Sequence, residues 1–289
     1  MAMKRNPINK SIFTNREMVI AGIHGKETVI APLLEKEFGV LCFTNNKFNT
    51  DALGTFTGDI PRDMSPLDTL RQKCLTVMEW SGCTLGVASE GTFGPHPQIG
   101  LIPADTELVM LIDTENNLEI TARFISTSTN LASCETDDFD ELKKFALNAG
   151  FPSHGLILRV AENNYTYMKK GIRNWMTLLL EFHRIEMNYG KVYAETDMRA
   201  MMNPTRMEVI EAATKELIKK LKSTCPECSM PGFAVCEHKP GLQCSECGFP
   251  TRSPLMHVYK CKCCGHIEEK LYPHNKTGED PMYCDRCNP

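Results

Sequence analysis

The chain has 289 residues, enough for one domain of about 200 residues and an accessory module. Its 42% hydrophobic and 24% charged content is that of an ordinary globular protein, and a net charge of -4 excludes a global pull towards nucleic acid or an anionic membrane. No run reaches the roughly 18 apolar residues that span a bilayer, and the opening MAMKRNPINKSIF lacks an apolar stretch after its basic residues, so a cytoplasmic location is expected.

Residues 1–17 read as an N-terminal extension. Met18 to Ile23 is a short apolar strand, His24-Gly25-Lys26 a tight turn, and Glu27 to Phe38 a helix in which Pro32 is an expected kink or delay. Val40 to Phe43 is a second strand, and the spacing implies a parallel βαβ unit. Asn45 to Ser65 is polar and Gly-rich and reads as a long loop. Ser65 and Pro66 open a helix to about Trp80. Thr84 to Ser89 is a buried strand, expected to end in the loop Glu90 to Pro97. Glu107 to Asp113 and Leu118 to Ser126 are paired strands turned at Glu115-Asn116-Asn117. Asp137 to Ala149 is a helix, Gly155 to Val160 a strand, Ile172 to Tyr189 a helix and Val192 to Ala194 a strand. Asn203-Pro204 caps a helix to about Leu221. The predicted class is α/β, a mixed sheet with flanking helices over 18–222, followed by a small zinc-ribbon module over 223–289.

Ten of the fourteen cysteines fall between Cys225 and Cys287, mostly as C-x-x-C pairs. Without an export signal such density implies metal rather than disulfides. Cys225/Cys228 and Cys244/Cys247 are separated by fifteen residues, Cys261/Cys264 and Cys284/Cys287 by nineteen. Two such turns complete a tetrahedron of thiolates about 2.3 Å from zinc. Two structural zinc ions are expected. Consecutive pairs sharing a metal is the first choice, and a cross-brace of first with third pair is the alternative. Cys236, His238 and Cys263 are left over. Residues 222–289 hold eight Lys/Arg and eight Asp/Glu, so no basic surplus favours nucleic acid over a protein partner. The four remaining cysteines read as small buried apolar residues.

Three segments of the α/β domain carry candidate chemistry. Gly22 to Glu27 links strand to helix, where Lys26 can meet a phosphate, although the spacing is not that of a Walker A loop. Glu90 can hold a divalent cation, and His96 can shuttle protons, at the carboxyl edge of a sheet. Asp197 can be a second metal ligand, with Arg199 and Arg206 clamping phosphate oxygens. Arg123, His154 and Arg159 are weaker candidates, and His183, on a helix, reads as a surface or interfacial residue. Convergence of Lys26, Glu90, His96, Asp197 and Arg199 in one cleft would give a Mg- or Mn-assisted hydrolase of a nucleotide or related phosphate compound. The rivals are a non-catalytic nucleotide sensor or adaptor and a nucleic-acid-associated zinc-ribbon protein.

Together SEGTFGPHP, TDMRAMMNPTRM, the paired cysteine turns and the terminal CDRCNP resemble an uncharacterised bacterial family over nearly the whole chain. The resemblance implies the same two-part layout and supplies no activity. A second similarity, over about residues 18 to 95, is to the inosine/xanthosine triphosphate pyrophosphatases, carried by MVIAGIHGKE and GVASEG. It implies Lys26 on a triphosphate and Glu90 on magnesium, assisted by Asp68. That family's paired aspartates are replaced here by Ser89-Glu90.

Overall fold

The computed structural model describes residues 11–22, 24–44 and 64–289. The Gly-rich loop expected from Asn45 lies outside them as far as residue 63. The chain divides into two compact units, Met1–Leu217 and Ile218–Pro289.

The first unit opens with β1 (Glu17–Ala21), α1 (Glu27–Phe38) and β2 (Leu41–Thr44), with β1 and β2 parallel. α1 ends because Gly39 adopts a left-handed conformation, φ 65°, and its N–H returns to Glu35. Pro32 sits inside α1 without ending it. Residues 11–16 pack against the first unit. Phe13 is fully buried edge-on against Phe38, and Arg16 pairs with buried Asp113 at 2.5 Å.

α2 (Pro66–Ser81) starts as the Ser65-Pro66 signal requires, with the Ser65 hydroxyl accepting from the Asp68 N–H. β3 (Leu85–Pro95), β4 (Pro103–Asp113) and β5 (Leu118–Ser126) complete a mixed five-stranded sheet of order β2-β1-β3-β4-β5. β3 is parallel to β1, while β4 is antiparallel to β3 and β5. Leu70, Cys74, Val77 and Met78 of α2 pack on Val19, Ala88, Met110 and Ile112 of the sheet. Each fully buried aliphatic contributes about 1.5–3 kcal/mol.

The expected loop from Glu90 to Pro97 is a correction. Through Pro95 it is strand, because β4 offers a partner for every residue of β3. Gly91 is tolerated there because Glu107 and Arg206 fill the space a side chain would need.

A second sheet of order β6-β9-β7-β8 is antiparallel throughout. It comprises β6 (Ser133–Thr136), β7 (Leu156–Ala161), β8 (Asn164–Ile172) and β9 (Val192–Thr196). α3 (Phe139–Asn148) and α4 (Trp175–Tyr189) cover one face, burying Leu142, Leu178, Phe182 and Ile185 on Leu156, Leu158, Val192 and Ala194. Ile172, expected to begin a helix, instead ends β8, and Asn174 caps α4. α5 (Pro204–Lys222) follows, with the Asn203 side chain accepting from the Arg206 N–H at 3.0 Å.

The second unit holds β10 (Ala234–Pro240), β11 (Pro254–Lys260) and β12 (Ile267–Leu271), a three-stranded antiparallel sheet. Its apolar core is small, Phe233 and Tyr259 packed with Cys225, Cys228 and Cys261. A core this size needs a staple. No helix among the described residues is long and apolar enough to cross a membrane.

Candidate functional site

Two cysteine tetrads supply the staple. Cys225 and Cys228 meet Cys261 and Cys264, while Cys244 and Cys247 meet Cys284 and Cys287, with all sulfurs of a set within 4.8 Å of one another. The nearest sulfurs are 3.6–3.8 Å apart, from Cys228 Sγ to Cys261 Sγ and from Cys244 Sγ to Cys287 Sγ. That is the edge of a tetrahedron, about 3.8 Å, around a metal with bonds of about 2.3 Å. Each tetrad can therefore hold a metal ion such as zinc. The pairing corrects the first expectation: first joins third and second joins fourth. β10 and β11 lie between consecutive pairs in sequence and fold back antiparallel, which carries each pair past its neighbour. Cys236 and Cys263 are exposed and outside both tetrads. His238 stacks edge-on against His257.

In the first unit, a buried group of charges lies at the carboxyl end of β1 and along β3 and β4. Lys26, the residue before α1, is 7% exposed and donates to the Ser89 carbonyl at 3.0 Å. Burial holds its ammonium down at about 8; Arg206 pushes it the same way, and Glu107 and Glu90 oppose. Glu107 is fully buried and accepts from Arg206 Nε at 2.6 Å. Arg206 also donates to the Met198 carbonyl at 2.6 Å and lies over the Phe93 ring. Gly91 faces Glu107 across the ladder, and any Cβ there would collide with Glu107 Oε1 and Arg206 Nη2.

Asp105 stands two residues from Glu107, so the strand period places both on one face. It is 1% exposed, and burial followed by the Glu107 charge raises its carboxyl to about 7. Two oxygens of this pair, Asp105 Oδ1 and Glu107 Oε2, are buried without a hydrogen-bond partner. On the other face of the sheet, Glu90 accepts from Lys73 Nζ at 2.7 Å, both side chains buried.

The structure thus gathers Lys26 and Arg206 with Asp105 and Glu107, which the sequence reading missed, and places Glu90 on the opposite face with Lys73. The available signals were two acids at alternate positions of an apolar strand and one lysine on the apolar face of α2.

The other predicted residues have different roles. Asp197 is fully buried at the end of β9, and its oxygens accept from Arg199 Nε, Nη2 and N–H and from the Gly171 N–H. Four donors saturate it, so the cation-holding role does not fit, and Arg199 is engaged as its partner. His96 accepts from the Gln98 and Ile99 N–H groups through Nδ1 and shapes the turn between β3 and β4. Asp68 belongs to the α2 cap. His154 lies between Ser153 and Thr205, Arg123 is exposed, and His183 stacks on Phe139. The expected single cleft of Lys26, Glu90, His96, Asp197 and Arg199 is replaced by the buried cluster around Glu107.

No curated protein matches the chain. Among solved structures, the hypothetical protein CT253 from Chlamydia trachomatis is 11% identical over 39% of this chain and 71% of that one, with a TM-score of 0.19, too low to indicate a shared fold. The family model described as "Domain of unknown function (DUF6671)" matches residues 73–289. These include β3, β4, the start of α5 and all eight tetrad cysteines. The chain belongs to the DUF6671 family.

Proposed function

We propose that the first unit is a divalent-metal-assisted hydrolase of a nucleotide or related phosphate compound, working at the Lys26, Asp105, Glu107 and Arg206 cluster. The observation that carries this reading is the pair of buried, unpartnered carboxylate oxygens beside two buried cations. Desolvated charge without partners costs several kcal/mol. A ligand that brings a cation to the acids and phosphate oxygens to Lys26 and Arg206 repays that cost. Mg²⁺ suits the site because it takes one or two carboxylates and fills its remaining positions with water and substrate phosphates, lowering the pKa of a bound water. Lys26 and Arg206 orient the phosphates, and Lys73 with Glu90 holds β3 in place.

The test is a screen of nucleotides and phosphate esters with Mg²⁺ or Mn²⁺, comparing wild type with Glu107→Gln. Turnover in wild type that drops at least a hundredfold in the variant supports the proposal. Equal rates in both would remove Glu107 from the chemistry. Nucleotide binding with no turnover would assign the sensor reading instead.

In the second unit two zinc ions complete the tetrads. Four thiolates leave each ion no open position, so their role is structural. The balanced charge of the module favours a protein contact over a nucleic-acid one. Eight thiolates kept available for metal fit a reducing cytoplasm.

A further inference from the structure

The face of the second sheet turned away from α3 and α4 carries a cavity of about 470 Å³. Arg159 of β7 lies at its centre, opposite Tyr193 of β9, with Tyr165 of β8 on the other side and Glu195 two residues beyond Tyr193. The guanidinium carbon is 4.9 Å from the Tyr193 ring centre and 5.1 Å from that of Tyr165. Arg159 is only 5% exposed. Its Nη2 donates to Glu195 at 2.8 Å, while Nε and Nη1 have no partner at all.

A buried guanidinium with two unmet N–H groups is costly, and Glu195 and the two rings relieve it only in part. An occupant of the cavity must bring acceptors to Arg159. A polyanion does not suit it, because Glu195 and Glu162 line the cavity along with Arg159. Burial, opposed by Arg159, holds the Glu195 carboxyl above its usual range. The tyrosine rings, one of them 39% exposed, favour a flat partner.

Acceptor, donor and aromatic face occur together in a nucleobase. We infer that this cavity binds the base of a nucleoside or nucleotide. Arg159 donates to a carbonyl or ring nitrogen of the base, Glu195 accepts from the adjacent base N–H, and the exposed Tyr165 ring stacks on its face. Met198 connects the two sites, since it lines this cavity and its carbonyl accepts from Arg206 of the charge cluster. The inference goes beyond the hydrolase reading and needs no phosphate chemistry.

Calorimetric titration of the full chain with guanosine, adenosine, cytidine and uridine tests it, with ribose 5-phosphate as the base-free comparison. At least one nucleoside should bind saturably and ribose 5-phosphate should not. Tyr165→Ala, a change at an exposed ring that leaves the core intact, should weaken that binding about tenfold. Arg159→Met should weaken it at least as much. Should Arg159→Met fail to fold, Tyr165→Ala decides alone. Absence of nucleoside binding, equal binding of ribose 5-phosphate, or full affinity in Tyr165→Ala overturns the inference. None of these outcomes depends on turnover, so failure here and failure of the hydrolase reading are separable.

Discussion

Asp105 carries a charge problem that no neighbour fully solves. Its carboxyl titrates near 7 in the fold against an ordinary value near 4, because burial penalises the charged form and Glu107 adds repulsion. A raised carboxyl gives stability that is present below its unfolded pKa and lost as pH rises through the folded one. The window is therefore about pH 4 to 7. Asp105→Asn should be more stable than wild type by about 1–3 kcal/mol at pH 8, with the difference closing towards pH 4. Urea denaturation across that range measures it, and a gap independent of pH would refute this account. Lys26 and Arg206 were legible as candidates because each sits at a helix start, where sequence signals are local. Asp105 and Glu107 were not, since an acid in an apolar strand acquires meaning only when a partner face buries it.

Gly91 decides how β3 and β4 fit together. In sequence, SEGTFGP reads as a loop from its glycines and proline, a local rule that holds when nothing pairs with the segment. Here an eleven-residue β4 pairs with all of it, and the tertiary ladder overrides propensity. Glu107 and Arg206 occupy the space a Gly91 side chain would need. Gly91→Ala should cost roughly 1–3 kcal/mol by forcing that ion pair apart. Gly94→Ala, whose Cβ would meet nothing within 4 Å, should be close to neutral. Thermal denaturation of the two variants side by side tests the argument, and equal losses would count against it. β6 and β8 escaped the reading for another reason. SCET is too short and polar to signal a strand, while in β8 the alternating Tyr165 and Tyr167 precede a lysine-rich end that hides the pattern.

The two units are stabilised differently. Among the described residues the first has extensive apolar cores, while the second has two cysteine tetrads and a core of a few side chains. Interleaved pairing makes a stoichiometric prediction. Cys225→Ser with Cys261→Ser removes ligands from one tetrad and should lower bound metal from two ions per chain to one. Cys225→Ser with Cys244→Ser strikes both tetrads and should remove both ions, with loss of folded structure in residues 218–289. Pairing of consecutive turns would give the reverse pattern by metal analysis. The amino-acid sequence by itself determined the layout of an α/β part and a cysteine-rich part, the helix starts at Ser65-Pro66 and Asn203-Pro204, and which eight cysteines form the tetrads. Those signals are local: periodicity, capping residues and spacing within a turn. Tertiary structure alone decided which cysteine turns come together, that Asp197 is saturated by Arg199 and Gly171, and that Asp105 and Glu107 are buried beside Lys26. Each of these depends on contacts between segments tens of residues apart, which strand pairing sets and local sequence does not encode.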